Sequence, residues 1–154
     1  MPSVNLFSPV KIGSIQLANR IFMAPLTRTR AGPSHLPNAL MTEYYTQRAS
    51  AGLIVSESSM LLSNTSAFMG EPGLYEPGQL TAWKAVTDAV HAKGSKIFSQ
   101  IWHAGRAAHP DINGGAESVS ASAIAIEGTT HTFTGKVPHA VPRALASDEI
   151  PTII

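Results

Sequence analysis

Apolar positions along the chain repeat with two different periods, and the alternation between them outlines the fold. From Leu6 to Asn19 they recur roughly every second residue (Phe7, Val10, Ile12, Ile15, Leu17), with Gly13-Ser14 at the midpoint, which predicts a short β-hairpin. Arg20 to Ala24 predicts a buried strand that stops at Pro25. The period then lengthens. Between Pro37 and Ser50, residues Leu40, Met41, Tyr44, Tyr45 and Arg48 fall at three- and four-residue steps, and Gly52 suits the position just past a helix end. Leu53 to Ser56 predicts a second buried strand, with Glu57, Ser58 and Ser59 at its carboxyl end. Residues 61 to 77 form a connection rich in Ser, Gly and Pro, of a length usually tied to function or disorder. A second helix is expected from Gly78 to Lys93, with Leu80, Trp83, Val86 and Val90 on its buried face and Gly94 ending it.

A third strand follows at Lys96, carried by Ile97, Phe98 and Ile101, and polarity changes abruptly where it should run out: Gln100, Trp102, His103 and Arg106 collect there, with Gly105 marking the turn. Three strands separated by two helices make two βαβ units, hence a parallel sheet with Leu53 to Ser56 and Ile97 to Ile101 adjacent and aligned with Arg20 to Ala24. Residues 107 to 146, rich in Gly, Ser, Thr and Ala with short alternating pieces such as Val119 to Ile126, read as an excursion after the third strand. Residues 147 to 154 resemble the start of a helix, with Ser147 as N-cap and acids in the first turn, cut off after barely one turn.

Composition narrows the functional classes. In 154 residues, 44% are hydrophobic and 14% charged, with net charge +1, a globular balance that gives no sign of a nucleic-acid or membrane-surface partner. The absence of cysteine removes disulfides, thiolate metal sites and a thiol nucleophile. No basic region with an apolar core opens the chain, and no apolar run approaches ~18 residues, so a cytoplasmic location is expected. None of the six histidines forms an H-x-x-x-H pair, so no metal site is expected. Neither G-x-S-x-G, G-x-G-x-x-G nor a phosphate-binding P-loop motif occurs.

In a parallel layout the carboxyl strand ends share one face, where α/β proteins bind ligands. That face gathers Pro25, Leu26 and Thr27 from the first strand, Ser58 from the second, and Gln100 and Trp102 from the third. A hydroxyl from Thr27 and a carboxamide from Gln100 suit a flat heteroaromatic ligand with carbonyl and imide edges. Gln100 could equally satisfy a neighbouring backbone group, and Trp102 could fill a core. Arg28 and Arg30 are open to two readings, phosphate ligands or solvated loop residues.

Several consecutive motifs resemble the old yellow enzyme family: Asn19-Arg20-Ile21-Phe22-Met23-Ala24-Pro25-Leu26-Thr27-Arg28, then Glu43-Tyr44-Tyr45 to Arg48-Ala49, Gly52-Leu53-Ile54-Val55-Ser56-Glu57, Gln100-Ile101-Trp102-His103-Ala104-Gly105-Arg106, and Pro142-Arg143-Ala144-Leu145. Their order and spacing are most similar to the N-ethylmaleimide reductase and xenobiotic ene-reductase branch. The resemblance implies the N-terminal part of an FMN-binding (β/α)8 TIM barrel, with residues 1–19 as a hairpin closing its base and residues 20–106 as βαβαβ. It implies that Met23, Ala24, Pro25 and Leu26 line the flavin, that Thr27 tunes it from near O4, that Ser58 lies beside the ring, and that Gln100 bonds its pyrimidine edge. Trp102 would wall the substrate side, together with Phe68, at a position where relatives commonly carry Tyr.

The resemblance implies that the family's substrate-activating H-x-x-[HN] pair and Tyr proton donor belong to a fourth strand beyond Ile154, and its phosphate loops to later strands still; a whole barrel needs about 250 residues. The function implied is an FMN-dependent NAD(P)H ene-reductase acting on small electron-poor alkenes. It is expected to be active only with a complementary C-terminal barrel fragment or chain, and inactive alone. A non-catalytic remnant serving as an assembly or interaction module is the alternative, and a free-standing flavodoxin-like domain a distant third.

Overall fold

The structure, a computed structural model, describes residues 4–153. The N-terminal residues 1–3 and Ile154, which belong to the expected hairpin segment and the expected helix start, lie outside the described residues. Strands β1 (Val10–Ile12) and β2 (Ile15–Leu17) pair antiparallel across Gly13, whose φ of +55° places it in the left-handed region that glycine adopts without strain. Leu17 is buried at the end of this hairpin.

The central sheet is parallel and three-stranded, in the order β3 (Phe22–Met23), β4 (Leu53–Met60), β5 (Lys96–Trp102). Helix α1 (Ala39–Thr46) connects the first two strands and α2 (Pro77–Ala92) the second pair, so the expected βαβαβ order and strand directions are both present. Tyr45, Met41 and Ala49 from α1 and its following turn pack with Trp83, Val86 and Val90 of α2 over Ile54 of β4. This apolar layer lies between the helices and the sheet, and leaves the strand ends free to carry polar groups.

Several expectations need correction. Helix α1 is shorter than residues 37–50: Asn38 caps it by accepting from the Met41 amide, Gln47 closes it, and Leu40 points outward. Gly52 therefore does not end a helix. It opens β4, donating its amide to the Ile21 carbonyl at 2.9 Å and to Asn19 Oδ1 at 2.8 Å. In α2, Leu80 is 52% exposed whereas its neighbour Gln79 is buried, because the Gln79 carboxamide closes a capping box and accepts from the Tyr75 and Glu76 amides. Local capping thus shifts the buried stripe by one residue. Finally, β4 continues to Met60 through Glu57, Ser58 and Ser59, all buried, so Ser58 sits inside the strand rather than beyond its end.

Beyond β5 the chain makes two single turns of 3₁₀ helix (Gly105–Ala107 and Pro110–Ile112). Short strands follow: β6 (Val119–Ser120) pairs parallel with β9 (Arg143–Ala144), and β7 (Thr129–Thr132) forms a hairpin with β8 (Gly135–Pro138). Strand structure in the 119–126 piece is confined to its first two residues, since the chain leaves the pairing from Ala121 onward. At the C-terminal end Ser147 caps no α-helix; it lies in a turn leading into one 3₁₀ turn, Ile150–Thr152. Glu149 takes over there, accepting from the Ala146 amide while both its oxygens bind Arg143 at 2.7 and 2.9 Å.

Strand β5 is unusual for a parallel strand. Its outer side has no neighbour among the described residues, and Phe98 and Ile101 are 47% and 56% exposed. Parallel strands are ordinarily covered on both faces, so this edge presents apolar surface that a continuing sheet would bury.

Candidate functional site

The carboxyl ends of β3, β4 and β5 converge, and a bulge decides which side chains meet there. Between β4 and β5 the register advances from Val55–Phe98 to Ser58–Gln100, three residues on β4 against two on β5. Such an extra residue re-aims the side chains that follow it. Here it sets Ser58 opposite Gln100 and Met60 opposite Trp102. The Ser56 hydroxyl, inside the bulge, lies 3.4 Å from the Gln100 amide.

Thr27, just past β3, reaches across to β4: its Oγ1 is 2.8 Å from Ser58 Oγ, and either hydroxyl can donate. Thr27, Ser58 and Gln100 thus form one polar row across all three strands. The Gln100 carboxamide is exposed and has no hydrogen-bond partner among the described residues. Ala24, Pro25 and Leu26 beside it are also exposed, while the Met23 side chain leans on the apolar core. Phe68, from the 61–76 connection, stacks on Trp102 with ring centroids 5.9 Å apart and planes inclined by 10°. The Trp102 indole nitrogen is buried without a hydrogen-bond partner among the described residues.

Behind the row sits a buried acid. Glu57 accepts from the Tyr45 hydroxyl at 3.1 Å and from the Arg28 amide at 2.9 Å, and its own amide donates to the Tyr45 oxygen at 2.8 Å. Burial raises the Glu57 carboxyl above its ordinary range, opposed by the hydrogen bonds from Arg28 and Tyr45. Burial, and then the Glu57 charge, push the Tyr45 phenol far upward. This pair ties α1 to β4 and fixes the residue immediately after Thr27. Arg28 and Arg30 meet no ligand-like arrangement: Arg28 lies 5.2 Å over the Tyr44 ring, and Arg30 folds back to the Arg28 carbonyl. Desolvation lowers the His103 pKa below its ordinary value.

Sequence reasoning missed Glu71 and Asn113. Glu71 is fully buried under the Phe68 loop, its carboxyl raised to about 7 by desolvation. Asn113 bonds the same loop from the excursion after β5. Neither stands in a periodic pattern, so only the loop's burial could have pointed to them.

With that geometry in place, comparison with known proteins is decisive. Residues 5–154 match the NADH:flavin oxidoreductase / NADH oxidase family. The chain belongs to this family. It is 43% identical to a chanoclavine-I aldehyde reductase of Penicillium roqueforti (strain FM164), covering 94% of this chain and 38% of that protein. It is 39% identical to a probable flavin mononucleotide-dependent alkene reductase of Leishmania infantum, covering 97% and 42% respectively. Among solved structures, the old yellow enzyme homologue from Zymomonas mobilis superposes with a TM-score of 0.91 at 45% identity, covering 96% of this chain and 41% of that one. The chain therefore spans about two-fifths of the length of these relatives. Its sheet and helices are the N-terminal portion of the (β/α)8 barrel of the old yellow enzymes. Among the described residues no helix is long and apolar enough to cross a membrane, and no cluster of three or more His, Asp or Glu could hold a metal ion.

Proposed function

We propose that this chain supplies the flavin-facing wall of a cytoplasmic, FMN-dependent NAD(P)H ene-reductase, active once the remaining barrel completes it. The observation that carries this reading is the row of Thr27, Ser58 and Gln100 across the strand ends, flanked by the Phe68–Trp102 stack. The donor set fits an isoalloxazine edge: a hydroxyl, and a free carboxamide offering both a donor and an acceptor. When bound, FMN supplies the two-electron carrier between NAD(P)H and the β-carbon of an electron-poor alkene. Backbone from Met23 to Leu26 lines one side of the ring, and Gln100 holds its pyrimidine edge. Phe68 and Trp102 confine the alkene and exclude water. The exposed edge of β5 is where further strands of the barrel continue the sheet.

The test is reconstitution with a complementary C-terminal fragment. A yellow complex with stoichiometric flavin supports the enzyme. A colourless homo-oligomer on size-exclusion chromatography supports the alternative, a non-catalytic assembly module using the same β5 edge.

Two substitutions examine the row itself. In the completed protein, Gln100→Ala is expected to weaken FMN binding by ~1–3 kcal/mol, the value of one or two buried hydrogen bonds, measured by flavin fluorescence titration. An unchanged dissociation constant would take Gln100 off the ring. Thr27→Ala tests redox tuning separately from affinity. With Ser58 donating to Thr27 Oγ1, the Thr27 proton is left for a ring carbonyl whose electron density grows on reduction. A bond that strengthens in one state shifts the equilibrium between states, and ~1 kcal/mol corresponds to roughly 20 mV for two electrons. The flavin potential is expected to fall by some tens of millivolts in Thr27→Ala, with slower reduction by NAD(P)H. A potentiometric titration showing no fall would remove Thr27 from that role.

A further inference from the structure

Residues on both sides of Phe68 are buried although the loop has no regular secondary structure, while Phe68 itself is 45% exposed. Thr65, Ser66, Ala67 and Glu71 are all buried, and buried backbone must find hydrogen-bond partners somewhere. In this loop side chains provide them. The Ser66 amide donates to Asn113 Oδ1 at 2.8 Å, and Asn113 Nδ2 donates back to the Ser66 carbonyl, also at 2.8 Å. One carboxamide thus imitates a paired strand residue. Its second N–H goes to the His109 carbonyl at 2.9 Å, so both donors of the Asn113 carboxamide are engaged while its oxygen accepts from Ser66. From below, Glu71 Oε1 accepts from the Ala67 amide at 3.1 Å, and the Ser66 hydroxyl donates to the Phe68 carbonyl at 2.9 Å.

Asn113 caps the 3₁₀ turn Pro110–Ile112, in the segment that directly follows β5, the strand bearing Trp102. Ser66 lies two residues before Phe68, in the connection that follows β4. The Asn113–Ser66 pair therefore joins the two segments carrying the stacked rings. We infer that Asn113 is a positioning residue for the alkene pocket: by clamping the Ser66 backbone it sets the placement of Phe68 on Trp102. The inference rests on the functional reading above for the meaning of that wall, but the clamp itself is testable without flavin.

The chain contains two tryptophans, and their indole N–H groups differ: Trp83 donates to the Gly73 carbonyl at 3.2 Å, whereas Trp102 has no partner. Their two indole ¹H–¹⁵N signals, assigned with Trp102→Phe, report on core and wall separately. In Asn113→Ala the Trp102 signal is expected to shift or broaden as Phe68 leaves its stacked position, while the Trp83 signal stays. Ser118→Ala serves as the control: it removes another buried bond of the excursion, from Ser118 Oγ to the Ala108 carbonyl at 2.7 Å, without touching Ser66. It should leave both signals in place.

Asn113→Asp adds a test that simple loss of structure cannot imitate. As a carboxylate it faces the Ser66 and His109 carbonyls and breaks the clamp. When protonated it regains one donor, so its Trp102 signal should return toward that of the parent protein, recorded at the same pH, as the pH is lowered. This variant decides the matter if Asn113→Ala fails to fold. In the completed enzyme, Asn113→Ala should raise the alkene KM about tenfold while flavin reduction by NAD(P)H stays within about twofold. A folded Asn113→Ala with an unchanged Trp102 signal, or an Asn113→Asp signal that ignores pH, overturns the positioning role. A protein that takes up no FMN in any form overturns the functional reading instead, with the indole signals still deciding the clamp.

Discussion

Glu71→Gln is expected to flatten much of the protein's loss of stability as pH rises through the weakly acidic range. The Glu71 carboxyl is fully buried: one oxygen accepts from the Ala67 amide, and the other has no partner among the described residues. Desolvation dominates and raises its pKa from 4.5 to about 7, with a smaller contribution of the same sign from the Glu57 charge. The folded state therefore holds a proton that the unfolded chain releases between about 4.5 and 7. Stability is greatest below that window, falls as pH rises through it, and levels off above it, by ~3 kcal/mol in total. Glutamine keeps the acceptor for Ala67 and carries no charge at any pH.

Glu71→Gln and the parent protein should then differ most at pH 8, where the variant is the more stable, and converge near pH 4. Glu57, also raised by burial, retains a slope of the same direction in both proteins. His103, whose pKa is lowered by burial, contributes the opposite slope below its ordinary range, again in both. The difference between the two curves therefore isolates Glu71. Urea midpoints taken from pH 4 to 8 read it directly, and parallel curves would show that Glu71 titrates in the folded protein as it does in the unfolded chain.

Elements whose partners lie nearby in the chain could be read from the sequence, and those satisfied from a distance could not. The α2 stripe of Trp83, Val86 and Val90 and the parallel arrangement of three strands both follow from local periodicity and chain connectivity. The second half of β4 does not. Glu57, Ser58 and Ser59 look like a strand's wet end, yet Glu57 is satisfied by a tyrosine 12 residues away and Ser58 by a threonine 31 residues away. Asn113 answers a serine 47 residues distant, a pairing with no local trace. In α2 the error had a different cause. Leu80 carries the greater hydrophobicity, but Gln79 closes the capping box and is the residue buried there, a role that hydrophobic periodicity does not register. The Thr27, Ser58 and Gln100 row was legible because parallel strands send their carboxyl ends to one face. The bulge that aligns Ser58 with Gln100 was not: no local pattern marks the extra residue, and within it the Glu57 amide donates to the oxygen of a tyrosine 12 residues away.

Glycines 52 and 78 should respond to alanine with opposite signs. A Cβ built on Gly52 would fall well inside van der Waals contact with the Asn19 carbonyl oxygen, and 3.0 Å from both its carbonyl carbon and its side-chain Oδ1. None of these can yield cheaply. Asn19 Oδ1 accepts from the Ile21 and Gly52 amides, and its Nδ2 donates to the Ser50 carbonyl at 2.9 Å, so the residue staples the entry of β3 to the entry of β4. Moving it displaces the Phe22–Leu53 pair that begins the parallel sheet, and with it the approach to Thr27. Gly52→Ala should therefore cost about 3 kcal/mol, as overpacking against backbone does. Gly78 lies in the first turn of α2, where an added Cβ meets only Leu36 Cδ2 at 3.7 Å, an ordinary contact. There alanine removes conformational freedom from the unfolded chain and should stabilise by about 0.5 kcal/mol. Denaturant midpoints of the two variants, measured side by side, check both; a Gly52→Ala protein as stable as the parent would mean that β3 and β4 do not meet at Asn19.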